Sequence, residues 1–378
     1  MLKTGFVKAL GTMSGTSLDG VDAAVVETDG VTIKAFGASD YRPYSAPEQL
    51  ILRDHLGRWP DDGVLLAAKV VEDAHIAIMS SFSDVDVAGF HGQTLAHDPG
   101  GRGTHQCGDG QRLADELGLP VIWDLRTNDV AQGGQGAPLA PFYHFALAKW
   151  IGADTPVAFL NLGGVGNITW IDPKSDDPAS DGALLAFDTG PANAPINDAM
   201  QQRLGIGYDA EGQLAAQGTS EPDIIAAFLT NPYFSRPPPK SLDRDEFVGL
   251  SAAVTGLSDA DAIATLTQAV TESVAHAITQ CPKIPARLLV CGGGRKNVTV
   301  MNGLKAATGC DVIAVEDVGL DGDMLEAQAF AFLAVRAARG LPISAPKTTG
   351  VNQPTTGGRT AMPRDSVEKA PPRNLRPK

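Results

Sequence analysis

Short apolar runs alternate along this chain with longer stretches in which apolar residues return every three or four positions. A brief apolar run closed by a glycine or a polar residue suits a buried strand, and the three-to-four spacing is the stripe of a helix packed on a sheet. Strands are predicted on this basis over 7–11, 21–27, 87–91, 121–125, 157–162, 168–171, 184–188, 288–291 and 312–315. Helices are predicted over 47–56, 64–82, 112–117, 139–150, 223–229, 261–280, 298–307 and 324–339. The two kinds interleave throughout, so the fold class is α/β, with sheets covered by helices.

The pattern also repeats itself. LGTMSGTSLDGVDAAVVETD from Leu10 and LNLGGVGNITWID from Leu160 both read as strand, Gly-rich polar turn, strand. A chain of 378 residues has room for two domains of ~150 residues, and each echo can open one. We place the first domain over 1–137, completed by the C-terminal helix 323–340, and the second over 138–322. From Ile343 onward there are six prolines, seven basic and two acidic side chains and no aromatic, which predicts an extended, partly disordered, basic tail over 343–378.

Charge narrows the choice of partner. A net charge of -14 repels a phosphate backbone, so nucleic acid is not expected. The longest apolar stretch, 327–338, is short of the ~18 residues of a membrane helix and contains Arg336, so no membrane span is expected. No sustained apolar core precedes the first glycine turn, which argues against a signal peptide. Four cysteines without a CxxC pair fit reduced thiols in a cytoplasm.

Three Gly-rich turns follow apolar strands. In GTMSGTSLDG, Gly15 lets backbone N–H groups converge on an anion, Ser14, Thr16 and Ser17 add hydroxyls, and Asp19 or Asp22 could hold magnesium through water. An ordinary Ser/Gly hairpin is the competing explanation. The Gly-Lys-[Ser/Thr] ending of a P-loop and a GxGxxG fingerprint are both absent. NLGGVGN (161–167) and CGGGRKN (291–297) stand at the carboxyl ends of strands, where α/β sheets take nucleotides, although each alone could be a tight turn.

Acidic and basic candidates complete the set. Asp188 in FDTGP lies just past an apolar strand and could take a proton from an attacking hydroxyl or water, or merely form an Asx-turn or helix cap. The stretch from HGQTLAHDP to DLRTNDVAQGGQGAP offers His91, Gln93, Thr94, His97, His105, Arg126 and Asp129 to a polar substrate. Arg126 suits a carboxylate, with an interdomain ion pair as the alternative, and zinc on the histidines is disfavoured without HExxH spacing. Glu326 opens the last helix, where it could act on substrate or only stabilise the helix dipole, and Asp323 is a candidate N-cap.

Together these motifs closely resemble the anhydro-N-acetylmuramic acid kinase family of the actin-like and sugar-kinase ATPase superfamily. The resemblance runs through GTMSGTSLDGVD, FHGQTLAHDP, DLRTNDVAQGGQGAPL, NLGGVGNIT, FDTGPAN, PYFSRPPPKSLDRDEF, CGGGRKN, GDMLEAQAFA and TTGVNQPTTGG, to about Gly358. It implies two actin-like (ribonuclease H-like) domains, each a mixed sheet flanked by helices, around an interdomain active-site cleft. It also implies ATP with Mg2+, a homodimer, and a cytoplasmic role in peptidoglycan recycling. The family's reaction opens the 1,6-anhydro ring with water and phosphorylates O6, giving N-acetylmuramic acid 6-phosphate and ADP.

By this resemblance Asp188 activates the water, and Glu326 helps to orient water or sugar. Gly15, Thr16, Ser17, Leu18, Asp19, Gly20, Val21 and Asp22 match the phosphate loop, with magnesium at Asp19, through water. Gly163, Gly164, Asn167, Gly292, Gly293 and Asn297 are the other nucleotide contacts, and Ser14, Thr94, Arg126 and Asp129 join Asp188 and Glu326 on the sugar. Two positions depart from the family pattern: Ala192 stands where glycine is common, and Gly166 where alanine is. Another sugar or acid kinase of the superfamily, and an actin-like nucleotide switch, are the competing functions.

Overall fold

The computed structural model describes residues 2–242 and 247–364. Strands β1 (Val7–Ser14), β2 (Gly20–Thr28), β3 (Ile33–Pro43), β4 (Val87–Asp98), β5 (Gly103–Cys107) and β6 (Val121–Trp123) belong to a first sheet. A second is built from β7 (Val157–Leu162), β8 (Val165–Ile171), β9 (Leu184–Pro191), β10 (Arg287–Cys291) and β11 (Asp311–Ala314), and β12 (Arg359–Ala361) returns to the first. The helices are α1 (Ala46–Asp54), α2 (Leu65–Met79), α3 (Gly110–Leu117), α4 (Thr127–Ala131), α5 (Pro141–Trp150) and α6 (Asn193–Leu204) in the first half. They continue with α7 (Pro222–Leu229), α8 (Pro232–Ser235), α9 (Val248–Ala253), α10 (Asp259–Thr279), α11 (Val298–Thr308) and α12 (Leu325–Ala338).

The two sheets have the same wiring. In the first the order is β12-β6-β4-β1-β2-β3, with β1, β2 and β3 antiparallel and β1, β4 and β6 parallel. In the second it is β11-β10-β7-β8-β9, again an antiparallel triplet followed by two parallel strands. This is the ribonuclease H-like order, present twice, and the echo at Leu10 and Leu160 marks the hairpin that starts each copy.

Helices α5 and α12 lie between the sheets. One apolar cluster joins Ala9, Phe142, Phe159, Leu289, Phe330 and Phe332, so the halves share a core. Tyr143 donates to Gln328 Oε1 at 2.8 Å and ties α5 to α12 inside it. Helix α12 lies so close to β1 and β4 that a Cβ on Gly11 would overlap the backbone of Ala327 and Ala331, and one on Gly89 that of Phe330. Glycine at these two positions sets the helix-to-sheet distance.

Several elements depart from expectation. Strand β3 is exposed over nearly its whole length, so no apolar run announces it. Helix α6 buries only Ile196, Ala199 and Met200, too few to show a stripe. Asp323 does not cap α12: Met324 holds that position, and Asp323 pairs with Arg295 and Lys296.

The expected loose tail is corrected over 343–364. It is mostly irregular, but Ile343, Ser344, Ala345, Thr348, Thr349 and Val351 are buried and β12 pairs with β6. Apolar and hydroxyl side chains there meet matching partners, which a composition average conceals. Residues 365–378 of that tail lie outside the described residues. Among the described residues no helix is long and apolar enough to cross a membrane.

Candidate active site

The β1–β2 and β7–β8 turns line one cavity of about 900 Å³ whose wall also includes Arg126, Gly293 and Glu326. In the first turn Leu18 donates its N–H to Gly15 O at 3.2 Å, and the left-handed backbone of Leu18 (φ +58) buries its side chain. Thr16, Ser17 and Asp19 are thereby left at the surface of the cavity. Asp19 Oδ1 accepts from Ser17 Oγ and from Gly20 N–H, both at 2.9 Å. Behind the loop, buried Ser14 donates to Gln93 Oε1 at 2.5 Å while Gln93 Nε2 donates to Gly15 O at 3.1 Å.

The stretch from Gly15 to Asp22 is thus divided. Gly15, Thr16, Ser17 and Asp19 face the cavity, whereas Leu18 and Val21 point into the core and Gly20 packs against Tyr41 and Arg42. Asp22, half-buried in β2, is pushed up to about 7 by burial and then by repulsion from Asp19, Glu326, Asp323 and Asp321.

Opposite stands the β7–β8 turn. Gly163 O accepts the Asn193 N–H at 2.8 Å and Gly164 O the Ala192 N–H at 3.0 Å, which seats the start of α6 on the turn. Gly292 has φ +70, and a Cβ there would overlap Asn161. Buried Arg295 pins this loop, donating to Gly292 O at 3.0 Å and Glu316 Oε1 at 2.7 Å and pairing with Asp323 at 2.9 Å. Gly163, Gly164 and Gly293 reach the cavity and Gly292 an adjoining one. Asn297 reaches neither: it is buried, and its Oδ1 caps α11 through Val300 N–H at 3.0 Å.

Thr94 lines the large cavity and accepts from Gln106 Nε2 at 3.1 Å. Arg126 directs Nε and Nη2 to His91 Nε2 at 3.1 and 3.0 Å and Nη1 to Gly136 O at 2.8 Å. His91 Nδ1 lies 2.8 Å from Gly92 O and donates to it, so its Nε2 is the acceptor and the ring is neutral; burial and Arg126 keep its pKa well below the usual value. Burial lowers Arg126 to about 10 against the opposing fields of Glu326 and Asp129. Much of the guanidinium is therefore engaged by the protein.

Asp129 is not brought to the cavities. It is 1% exposed, and its oxygens accept from Gly136 N–H and Thr349 Oγ1, each at 2.6 Å. Glu326 does reach them, in the first turn of α12, with Oε1 3.4 Å from Asn161 Nδ2. It is open along the cleft yet walled by protein, and that enclosure raises its pKa despite the pull of Arg126.

A second cavity, of about 450 Å³, runs from Glu326 and Arg126 past Ala137, Pro138 and Asn167. The same three residues border a third, of about 340 Å³, that contains Asp188. The three cavities therefore follow one another from the glycine turns to this carboxylate, each sharing wall residues with the next. Asp188 lies beside a register shift between β8 and β9 that sets it opposite Asn167. Its Oδ1 accepts from Asn167 Nδ2 and its Oδ2 from Leu242 N–H, both at 2.8 Å. Tyr233 Oη donates to Asp188 O at 2.6 Å and Asp188 N–H to Lys240 O at 3.0 Å. Burial raises the Asp188 pKa, with those two side-chain bonds opposing it.

Asn167, expected at the nucleotide, stands beside Asp188 and also lines the second cavity together with Gly163 and Gly292. Sequence reasoning assigned no role to Lys240, Tyr233 or Thr348–Gly350, although all lie in the PYFSRPPPKSL and TTGVNQPTTGG motifs. Both family departures are near this site. Gly166 leaves space for Thr189 Oγ1, which a Cβ would overlap, and buried Ala192 has φ -127 and ψ -114, outside the main helical and extended wells.

Two ribonuclease H-like sheets sharing one cleft, glycine turns on both its walls and an enclosed carboxylate at its far end define an actin-like kinase. The family model described as anhydro-N-acetylmuramic acid kinase matches residues 7–362, and the chain belongs to that family. It is 61% identical over 364 residues to the anhydro-N-acetylmuramic acid kinase of Cereibacter sphaeroides, covering 96% of this chain and 98% of that one. To the enzyme of the same name from a Ruegeria species it is 58% identical over 361 residues, 96% of each chain. Among solved structures, the activator of the 2-hydroxyisocaproyl-CoA dehydratase from Clostridium difficile with bound ADPNP matches with a TM-score of 0.46 and 12% identity, over 88% of this chain and 96% of that one.

Proposed function

We propose that the protein uses ATP and water to convert anhydro-N-acetylmuramic acid into N-acetylmuramic acid 6-phosphate and ADP, in cytoplasmic recycling of peptidoglycan, and that it works as a homodimer. The observation that carries this reading is the enclosed Asp188, at the end of a cleft that begins at two glycine turns. Asp188 has the qualities of a base: both oxygens are aimed by hydrogen bonds, and burial raises its affinity for a proton.

In this mechanism Asp188 takes a proton from water as the water oxygen bonds to C1 of the sugar. The C1–O6 bond breaks, and O6 accepts the γ-phosphoryl group of ATP while ADP departs. Coupling the steps prevents full negative charge from accumulating on O6. Gly15, Thr16, Ser17, Gly163, Gly164 and Gly293 cradle the phosphates, and Glu326 and Thr94 face the sugar. Asp19 suits Mg2+ through water: its Oδ1 is engaged, and the crowding of carboxylates that lifts Asp22 would be relieved by a cation. Bound there, magnesium supplies positive charge to the phosphates. Lys240, on the Asp188 cavity wall and lowered to about 8 by burial and Arg236, is a cation suited to the acidic lactyl group.

The test is to mix protein, ATP, magnesium and anhydro-N-acetylmuramic acid and to analyse products by mass spectrometry. A ring-opened sugar phosphate and ADP are expected. Asp188→Asn should lose several orders of magnitude in turnover and retain nucleotide affinity. Unchanged turnover would remove Asp188 from the base's role.

A further inference from the structure

The third cavity takes its walls from five separated parts of the chain: Gln135–Pro138, Asn167 of β8, the strand carrying Asp188, the 236–241 segment with Lys240, and Thr348–Gly350. The last is a strap without regular structure. Lys347 O accepts the Ala186 N–H of β9 at 2.9 Å, two residues before Asp188. Thr349 O accepts the Gln135 N–H at 2.7 Å from the opposite wall. In three residues the strap therefore ties both sides of the cavity together. Its fold-back is set locally, since Thr348 and Thr349 both donate N–H groups to Ala345 O.

One polar contact fixes the strap's register. Thr349 is 1% exposed and gives its hydroxyl to Asp129 Oδ2, while Asp129 Oδ1 holds Gly136 N–H, each at 2.6 Å. A carboxylate this buried needs both donors, so the strap and the 135–138 wall are held by one charge. Asp129 reaches none of the three cavities of the cleft, and the Thr349 hydroxyl is turned away to it.

We infer that Asp129 and Thr349 form a latch that positions Asp188, by locking the strap between the β9 edge and the Gln135–Pro138 wall. They are positioning residues, and the inference rests on the reading of Asp188 as the base. Losing the Thr349 hydroxyl leaves Asp129 one donor short and frees Lys347 to shift, and with it the outer edge of β9. Misplacement of a reacting group by about 1 Å can cost about 100-fold in rate.

The test is Thr349→Val, nearly identical in shape, with Thr349→Ser as rescue and Asp129→Asn as an independent way to weaken the same contact. In Thr349→Val, kcat should fall about 10- to 100-fold, the affinity for a nonhydrolysable ATP analogue should stay within about twofold, and Thr349→Ser should restore most of the rate. A kcat within about twofold of wild type in the folded variant, or an equal loss of nucleotide affinity, overturns the latch. Amide hydrogen exchange reads the latch without the reaction: Ala186 and Gln135 should exchange faster in Thr349→Val and Asp129→Asn, and unchanged exchange overturns it. A wild-type protein inert toward the anhydro sugar would count against the proposed function alone, because the exchange measurement would still stand.

Discussion

Asp22 illustrates how a charged residue can be costly to the fold. Its unfolded pKa is near 3.8 and its folded value about 7, so between these the folded chain holds the extra proton. Stability contributed by this group is present at low pH and declines as pH rises from about 4 to 7. Without nucleotide, Asp22→Asn should therefore raise the melting temperature by a few degrees at pH 8 and hardly change it at pH 4, which differential scanning calorimetry can check. That Asp188 and Glu326 would stand in the cleft was legible from residue type and motif. That Asn297 and Asp129 lie outside the cleft cavities was not legible, because hydrogen-bonding capacity says nothing about what a side chain already holds.

Among the elements, α12 shows how tightly sequence and packing are joined. Its stripe predicted a helix, but only the structure reveals that Gly11 and Gly89 exist to receive it. Gly89→Ala would press a methyl into Phe330 O and to 2.9 Å from the Ala334 Cβ, so an unfolding free energy lower by about 3 kcal/mol is expected in urea titration. Elements with one strongly apolar face were readable from periodicity. Strand β3, almost wholly exposed, and α6, anchored through its backbone to Gly163 and Gly164, were not, because their placement comes from pairing and hydrogen bonds.

At the scale of the molecule, the glycine hairpins that echo each other in sequence begin two sheets that share one five-strand order, so the doubled architecture was visible before any coordinates. We propose the lobes as 1–137 with 323–340, and 138–322, with α5 and α12 between the sheets as the region about which they would close. Sequence could not show that residues beyond Ile343 touch both sheets, β12 pairing with β6 and Lys347 O holding the Ala186 N–H of β9. Ending the chain after Pro342 would remove β12 and expose the surfaces that Ile343, Ala345 and Val351 cover. Such a truncation should lower the denaturant midpoint substantially and abolish turnover, in contrast to a freely appended tail, whose removal would change neither.

The way β9 is bordered also affects how copies of this chain meet in a crowded solution. It is the last strand of its sheet, and its outward amides at Ala186 and Asp188 are occupied by Lys347 O and Lys240 O, neither of which belongs to a strand. An uncovered margin would invite ladder formation with a stranger's backbone and growth toward fibrils. The segments that enclose the reacting carboxylate thereby also act as a guard against self-templated assembly.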